Sequence, residues 1–345
     1  METKELDIAF ALVRGALEGR PAQVEGLMPD TGGWWRIFRL MQQNHVAALT
    51  ADTMAALAVP REVKIPWLAE CDKAVRRYRY QLAVQQEIVD IMQAHGVETM
   101  VLKGTHTAQY YPVPERREFG DLDLFFYKQH READAVAREV LKVELSNESH
   151  HHSKYDYRGV TVESHYDYLN RHYPPSNRGY DMLLKVYIPC PILEVLFLVR
   201  HMAGHFAASR ITLRDLVDWA LLCRAQRDEV DWPFVETVVE KYGMMDFVLA
   251  VSAVAERRLG IEPPPPFFDD GTVDDGTVER IARDIVYGTV EDHAGDGIGR
   301  LGWKLRRWNA LRWKRRMVYK EPEFVLCLAS IASHIEKPRS IVKKV

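Results

Sequence analysis

Val101-Leu102-Lys103-Gly104-Thr105, followed by Gly120-Asp121-Leu122-Asp123, decides the fold of this chain. The first stretch ends a short apolar run at 97–102, which reads as a buried strand. A glycine at the strand's end, before a short helical segment at 105–111, makes a tight turn with backbone N–H groups free to meet an anion. The second stretch opens another strand, over 119–127. Side chains alternate along a strand, so Asp121 and Asp123 share one face. Two adjacent carboxylates repel unless a cation lies between them. A metal site beside a phosphate site points to nucleotidyl transfer, a reaction that needs charge neutralisation and positioning more than covalent help.

Outward from this core the pattern is helical on both sides. Trp34, Ile37, Phe38 and Met41 recur at helix spacing, as do Val75, Tyr78, Leu82, Val89 and Met92, with Gln85 a polar gap. Pro60 and Pro66 punctuate between helices, and Gly96 caps the second one. Past the Asp pair, a helix is expected over 131–145 on Ala133, Val136, Val140 and Leu141. A hairpin is expected over 155–168, with its turn near Arg158-Gly159. Pro191 opens a helix carrying Leu193, Leu196, Phe197 and Arg200. Leu213, Leu216, Val217, Ala220 and Leu221 form a further stripe, and the helical pattern continues over 235–259. Pro263 to Pro266 break the pattern, and the tandem Asp-Asp-Gly-Thr-Val at 269–278 reads as an acidic loop without EF-hand spacing. The expected class is α+β: a small mixed β-sheet core at 96–180, an N-terminal helical region at 1–95, and a C-terminal one at 181–345 with the Pro/Asp-rich loop near 263–278.

Composition sets the outer limits. The 345 residues carry 46 Lys and Arg against 49 Asp and Glu, a net charge of −3, so no global basic field argues for nucleic acid. The apolar fraction of 47% is that of a soluble globular protein. Four scattered cysteines imply no disulfide framework. No signal peptide and no long apolar run stand out, and the protein is expected in the cytoplasm. Residues 299–320 carry nine Lys and Arg and no acid, with Trp303, Trp308 and Trp313 interleaved. Such a segment can grip RNA or a membrane surface, or simply form amphipathic helices with snorkelling cations.

The third carboxylate of a metal site is expected from Glu163, which alternates away from Val160 and Val162. Lys103, the N–H groups after Gly104, the Thr105 hydroxyl and Arg117 are placed on a triphosphate. His165 is expected as a hydrogen-bond partner near the acids. His201 and His205, at i and i+4, are expected to line an interface, and Asp215 and Asp218 lie on the polar side of their helix, as a solvated face or part of an acceptor pocket. A zinc site is disfavoured, because three consecutive histidines, 150–152, cannot all aim at one ion and no H-E-x-x-H occurs.

The ordered series Leu102-Lys103-Gly104, Arg117, Gly120-Asp121-Leu122-Asp123 and Val162-Glu163-Ser164-His165, followed by His201, His205 and Leu213-Arg214-Asp215-Leu216-Val217-Asp218, resembles a bacterial nucleotidyltransferase-like family of the polymerase-beta superfamily. The likeness covers residues 75–225. It implies two Mg²⁺ ions, an NTP donor such as ATP, and transfer of NMP to an acceptor that varies across the superfamily: a small molecule, RNA or protein. The alternative is a non-catalytic nucleotide-binding or regulatory module. Gly104-Thr105 stands where a Gly-Ser or Gly-Gly pair is usual, and the gap to Asp121 is longer than in compact members.

Overall fold

The computed structural model describes residues 2–24, 26–118, 120–146, 149–186, 190–267, 271–289 and 298–336. The helices are α1 (Glu2–Glu18), α2 (Thr31–Gln43), α3 (Ala51–Ala55), α4 (Arg61–Ala94) and α5 (Thr105–Ala108). Next come α6 (His130–Glu139), α7 (Asn177–Leu184), α8 (Pro191–Ala208), α9 (Leu213–Ala225) and α10 (Trp232–Lys241). The last are α11 (Met245–Val254), α12 (Asp275–Tyr287), α13 (Ile298–Ala310), α14 (Arg312–Val318) and α15 (Glu323–Glu336). Four strands, β1 (Met100–Leu102), β2 (Leu122–Phe125), β3 (His152–Tyr157) and β4 (Val160–His165), form one mixed sheet in the order β1-β2-β4-β3. The class is α+β, with helices flanking a small sheet. No helix among the described residues is long and apolar enough to cross a membrane, and all four cysteines are free.

The chain divides into two compact units, each built from three separate segments. The first takes Met1–Arg76, Tyr110–Glu118 and Val199–Val318 and is helical; the second takes Arg77–Gln109, Phe119–Leu198 and Tyr319–Val345 and holds the sheet.

In the sheet unit, β2 pairs antiparallel with β1 and parallel with β4, and β3 returns antiparallel to β4 through Arg158-Gly159. Both turn residues have positive φ, 51° and 74°. That is the two-residue turn whose twist matches a hairpin. Leu122, Leu124, Val160, Val162 and Tyr155 bury one face of the sheet in a core with Ile88 and Met92 of α4 and Ala133 and Ala137 of α6. Asp134 of α6 pins this face, accepting hydrogen bonds from Ser153 Oγ at 2.8 Å and Ser164 Oγ at 3.2 Å.

Several expected boundaries move, each for a local reason. Residues 97–99 are not strand: the Val97 N–H bonds the Met92 carbonyl at 2.9 Å, and Gly96 at φ 73° turns the chain. Val97 thus completes the cap of α4. Pro66 does not end a helix but lies inside α4. The lost backbone bond costs about 3 kcal/mol, offset by the neighbouring Val63 and Trp67, both fully buried. The buried stripe of α4 in the sheet unit is Tyr78, Gln81, Val84, Gln85, Ile88 and Met92, whereas Leu82 is exposed. Gln85 is therefore part of the stripe and not a gap in it. Helix α6 stops at Glu139, leaving Val140 exposed.

In the helical unit, α1 packs on α2 and α3, and α11 on α12 and α14. Of the acidic 269–278 segment, Asp269 and Asp270 lie outside the described residues. Asp274 caps α12 by accepting from the Thr277 N–H at 3.0 Å, so the second Asp-Asp repeat starts a helix instead of continuing a loop. The basic Trp-bearing segment uses part of its charge internally. Lys314 and Arg315 are buried, and Lys314 Nζ bonds Asp284 at 2.5 Å. Arg315 lies 3.8 Å from the Trp308 ring centroid, and Arg280 is equally close to Trp313. Lys304, Arg306, Arg312, Arg316 and Lys320 stay exposed.

Candidate active site

The sheet face opposite the core carries the chemistry. Strand pairing places Leu102, Asp123, Glu163 and Lys154 in one row across all four strands. The next row is Met100, Phe125, His165 and His152. Asp123 and Glu163 are thus neighbours on adjacent parallel strands, and strand alternation sends both away from Leu122, Leu124 and Val162.

Asp121 sits one residue before β2 and is more exposed than Asp123, which is buried. Lys154 Nζ reaches Asp121 at 2.8 Å and Glu163 at 3.4 Å. Lys103 Nζ lies 3.1 Å from Asp123, and His165 Nε2 lies 3.1 Å from Asp123 and 3.7 Å from Glu163. Three carboxylates, two ammonium groups and an imidazole therefore share one patch. Burial opposes ionisation of Asp123, but Lys103 and His165 outweigh it and hold its carboxyl well below the usual range. Burial likewise opposes ionisation of Glu163, and the His165 bond and the His152 charge still bring it to about 2. His165 is pulled up, because its bonds to the two acids overcome desolvation. One donor atom each from Asp123, Glu163 and His165 falls within 4.8 Å of the others, close enough to share an ion. The two carboxylates of this group suit Mg²⁺ or Mn²⁺; Asp121, predicted as a third ligand, is not in it.

The turn before this row lies in the left-handed region. Lys103 and Gly104 both have positive φ, 52° and 57°. The space where a Cβ of Gly104 would stand is open to 4 Å. The Thr105 hydroxyl, expected on a phosphate, gives its single proton to Gln85 Oε1 at 2.5 Å and so anchors the turn on α4. Gln81, one turn earlier, donates to the Gly120 carbonyl at 2.7 Å and fixes the entry to the Asp pair. Sequence reasoning missed both glutamines, although polar residues interrupting an apolar stripe were the available signal. Lys154 was missed as well; its alternation with Tyr155 was the cue.

The remaining predicted residues gather in the helical unit. Arg117 is buried and gives Nε and Nη2 to Asp218 at 2.8 and 2.7 Å, while the Tyr111 hydroxyl donates to the same carboxylate at 2.6 Å. Asp218 is thus buried, not on a polar helix face, and the guanidinium placed on a triphosphate is bidentate to it. Asp215 accepts from the Thr212 N–H and hydroxyl, both at 2.8 Å, and closes the N-terminus of α9. Burial opposes its charge, but Arg214 and the two Thr212 bonds lower its pKa to about 2. His201 and His205 stack edge to face, ring centroids 4.4 Å apart, and join no group of three metal donors among the described residues.

A cavity of about 840 Å³ opens in the sheet unit beyond Phe125, lined among others by Tyr127, Lys128, Tyr166, Tyr168 and Arg171. Tyr168 stacks on Phe125 at 4.0 Å, and its buried hydroxyl finds no hydrogen-bond partner among the described residues. Phe125 lies two residues along β2 from Asp123, on the same face.

Residues 30–260 match a protein family described as uncharacterised nucleotidyltransferase. No curated protein and no solved structure gives a match. The match takes in β1 to β4, the Asp121–Asp123 pair, Glu163 and helices α2 to α11. With more than half of its length matched, the chain belongs to the uncharacterised nucleotidyltransferase family.

Proposed function

We propose that this chain is a divalent-metal-dependent transferase that moves an NMP group from an NTP to a hydroxyl acceptor. The observation that carries the reading is the row of Asp123, Glu163 and Lys154, with Asp121 at its rim and the open Gly104 turn at its head.

Asp121, Asp123 and Glu163 supply the oxygen ligands. These residues would hold a divalent ion, which would supply charge neutralisation for the triphosphate and ease loss of the acceptor proton. Lys103, on the strained turn, contacts the phosphates, and the backbone N–H groups after Gly104 add hydrogen bonds. The acceptor oxygen attacks the α-phosphorus. The bond from that phosphorus to the bridging oxygen breaks, pyrophosphate leaves, and the acceptor proton passes to a neighbouring carboxylate. Lys154 holds Asp121 and Glu163 together and orients both. The cavity beyond Phe125 is wide enough for the base or the acceptor, and its aromatic walls suit a planar ring. Arg117 is committed to Asp218 and takes no part in this scheme.

The test is incubation of the full chain with α-labelled NTPs, Mg²⁺ or Mn²⁺, and cell extract, beside Asp123→Asn. Label is expected on a small molecule, RNA or protein with the wild type and to disappear with the variant. Equal labelling by both proteins removes the assignment. Nucleotide binding without transfer supports the non-catalytic alternative.

A further inference from the structure

The histidine run 150–152 does not behave as a unit. His150 turns its Nε2 to the Ser333 carbonyl at 3.0 Å, and its ring packs 4.5 Å from His172. His151 and His152 turn the other way. Their ring centroids are 4.5 Å apart and lie 5.4 and 5.0 Å from that of His165. One nitrogen each from His151, His152 and His165 falls within 4.8 Å of the others. His150 is not among these donors. The expectation that three consecutive rings cannot share an ion overlooks His165, which takes the place of His150 from the neighbouring strand, directly across from His152.

We propose that His151, His152 and His165 form a nitrogen-donor site for a borderline divalent ion, with Zn²⁺ the best match, beside the carboxylate site. Three imidazoles select Zn²⁺ or Co²⁺ over Mg²⁺, which prefers oxygen. Three protein ligands also leave a fourth tetrahedral position open. The surroundings fit a ligand role. Ser149 Oγ lies 3.1 Å from His151 Nδ1 and 3.3 Å from His152 Nδ1, so one hydroxyl engages the inner nitrogen of both rings. Such a contact fixes ring orientation and leaves Nε2 to ligate. His152 Nε2 already faces the site, 3.6 Å from Glu163 Oε1. The backbone helps: Tyr166 N–H and Asp167 N–H both bond the His151 carbonyl, at 3.0 and 3.2 Å, tying the start of β3 to the end of β4. Because His165 also faces Asp123 and Glu163, an ion held by the imidazoles sits next to the oxygen site.

The proposal shares His165 with the carboxylate group but none of the carboxylates, and its test is read separately from transfer. The full chain, stripped with a chelator, is titrated with Co²⁺ and followed by visible absorption, then with Zn²⁺ by calorimetry. One equivalent of tetrahedral Co²⁺, displaced by Zn²⁺ and not by excess Mg²⁺, is expected. His151→Gln and His152→Gln should each weaken binding by about 100-fold or more, and Ser149→Ala by about tenfold. His150→Gln should leave binding unchanged. Thermal melts of the metal-free variants separate a folding defect from a lost ligand, and Ser149→Ala keeps all three rings. Equal loss on His150→Gln identifies loose chelation by a histidine run and overturns the site, as does Zn²⁺ binding that survives both His151→Gln and His152→Gln. Transfer lost in Asp123→Asn with Zn²⁺ binding intact leaves this inference standing whatever the fate of the other.

Discussion

Two clusters of charge look alike in the sequence and differ in the fold. One is Asp121, Asp123 and Glu163 with Lys103 and Lys154; the other is Arg117, Arg214, Asp215 and Asp218. In the second, the charges answer one another. Arg117 holds both oxygens of Asp218, Tyr111 adds a third bond, and Asp215 is absorbed in a helix cap. Burial there rests on the Arg117–Asp218 pair, although Arg117 Nη1 and Arg214 Nε find no hydrogen-bond partner among the described residues. In the first, three carboxylates face two lysines and the His165 imidazole, Asp121 and Lys154 remain partly exposed, and the neighbouring turn is strained and open. Charge at an accessible, rigid place can be met by a ligand. Charge that closes on itself in the interior serves stability. The teaching is that pairing and exposure, not residue type, divide function from framework.

The sharpest way to break this comparison is to remove one charge from each cluster. Asp123→Asn should cost transfer about 10⁴-fold, or about 5.5 kcal/mol of transition-state stabilisation, an effect larger than the loss of stability from leaving Lys103 and His165 without their buried partner. Labelled-NTP turnover and a thermal melt on the same sample measure the two effects. A destabilised but active Asp123→Asn would put Asp123 in the framework class.

Asp218→Ala should do the reverse. It leaves the Arg117 guanidinium buried without its carboxylate, which costs about 4 kcal/mol of stability. Denaturant unfolding reads that loss directly. A variant as stable as the wild type, with altered nucleotide binding, would return Arg117 and Asp218 to the site.

The acid limb of stability tests the Asp215 cap, although Asp123 and Glu163 in the other cluster are lowered as well. Asp215 has a folded pKa of about 2 against an ordinary 3.8. A lowered carboxyl stabilises the fold above its unfolded pKa, and that contribution disappears as pH falls through the folded value. About 2 kcal/mol should therefore fade between pH 4 and pH 2. Melts of wild type and Asp215→Asn across this window should differ most at its upper end and converge at its lower end. A constant gap would show that the cap, not the charge, sets the effect.

What could be read in advance follows from what periodicity reports. Alternation marked β2 and β4 because one face of each is apolar, and it aimed Asp123 and Glu163 outward together. The Arg158-Gly159 turn and the Gly96 cap were legible because positive φ has few residue choices. Periodicity says nothing about which polar group answers which. The Arg117–Asp218 pair spans 101 residues of sequence, so the most phosphate-like arginine read as a ligand. Gln85 looked like a flaw in a stripe and Gln81 drew no reading at all, because their partners, Thr105 and Gly120, come from other segments. Asp134 and Ser149 had no pattern at all; each matters through two contacts that only the folded sheet brings together.

Lys154 gives the smallest and most discriminating test. Its ammonium lies between Asp121 and Glu163, where it neutralises the same two carboxylates that a divalent ion needs. Ion and lysine compete for that charge, and they also repel each other. Lys154→Gln removes both effects and keeps a polar, uncharged side chain, so the affinity for Mn²⁺ should rise by about tenfold, ~1.4 kcal/mol. Paramagnetic relaxation of water protons, titrated with Mn²⁺, measures it. Turnover carries separate information. If Lys154 only braces the carboxylates, transfer at saturating metal should change little. If it also meets the phosphates, transfer should fall while metal binding tightens. The analogous change in the closed cluster, Arg117→Gln, has no ion to admit and should only destabilise. A Lys154→Gln variant that binds Mn²⁺ no better than wild type would mean that the acids are a balanced network like the one around Asp218, and the distinction between the two clusters would fail at its central residue.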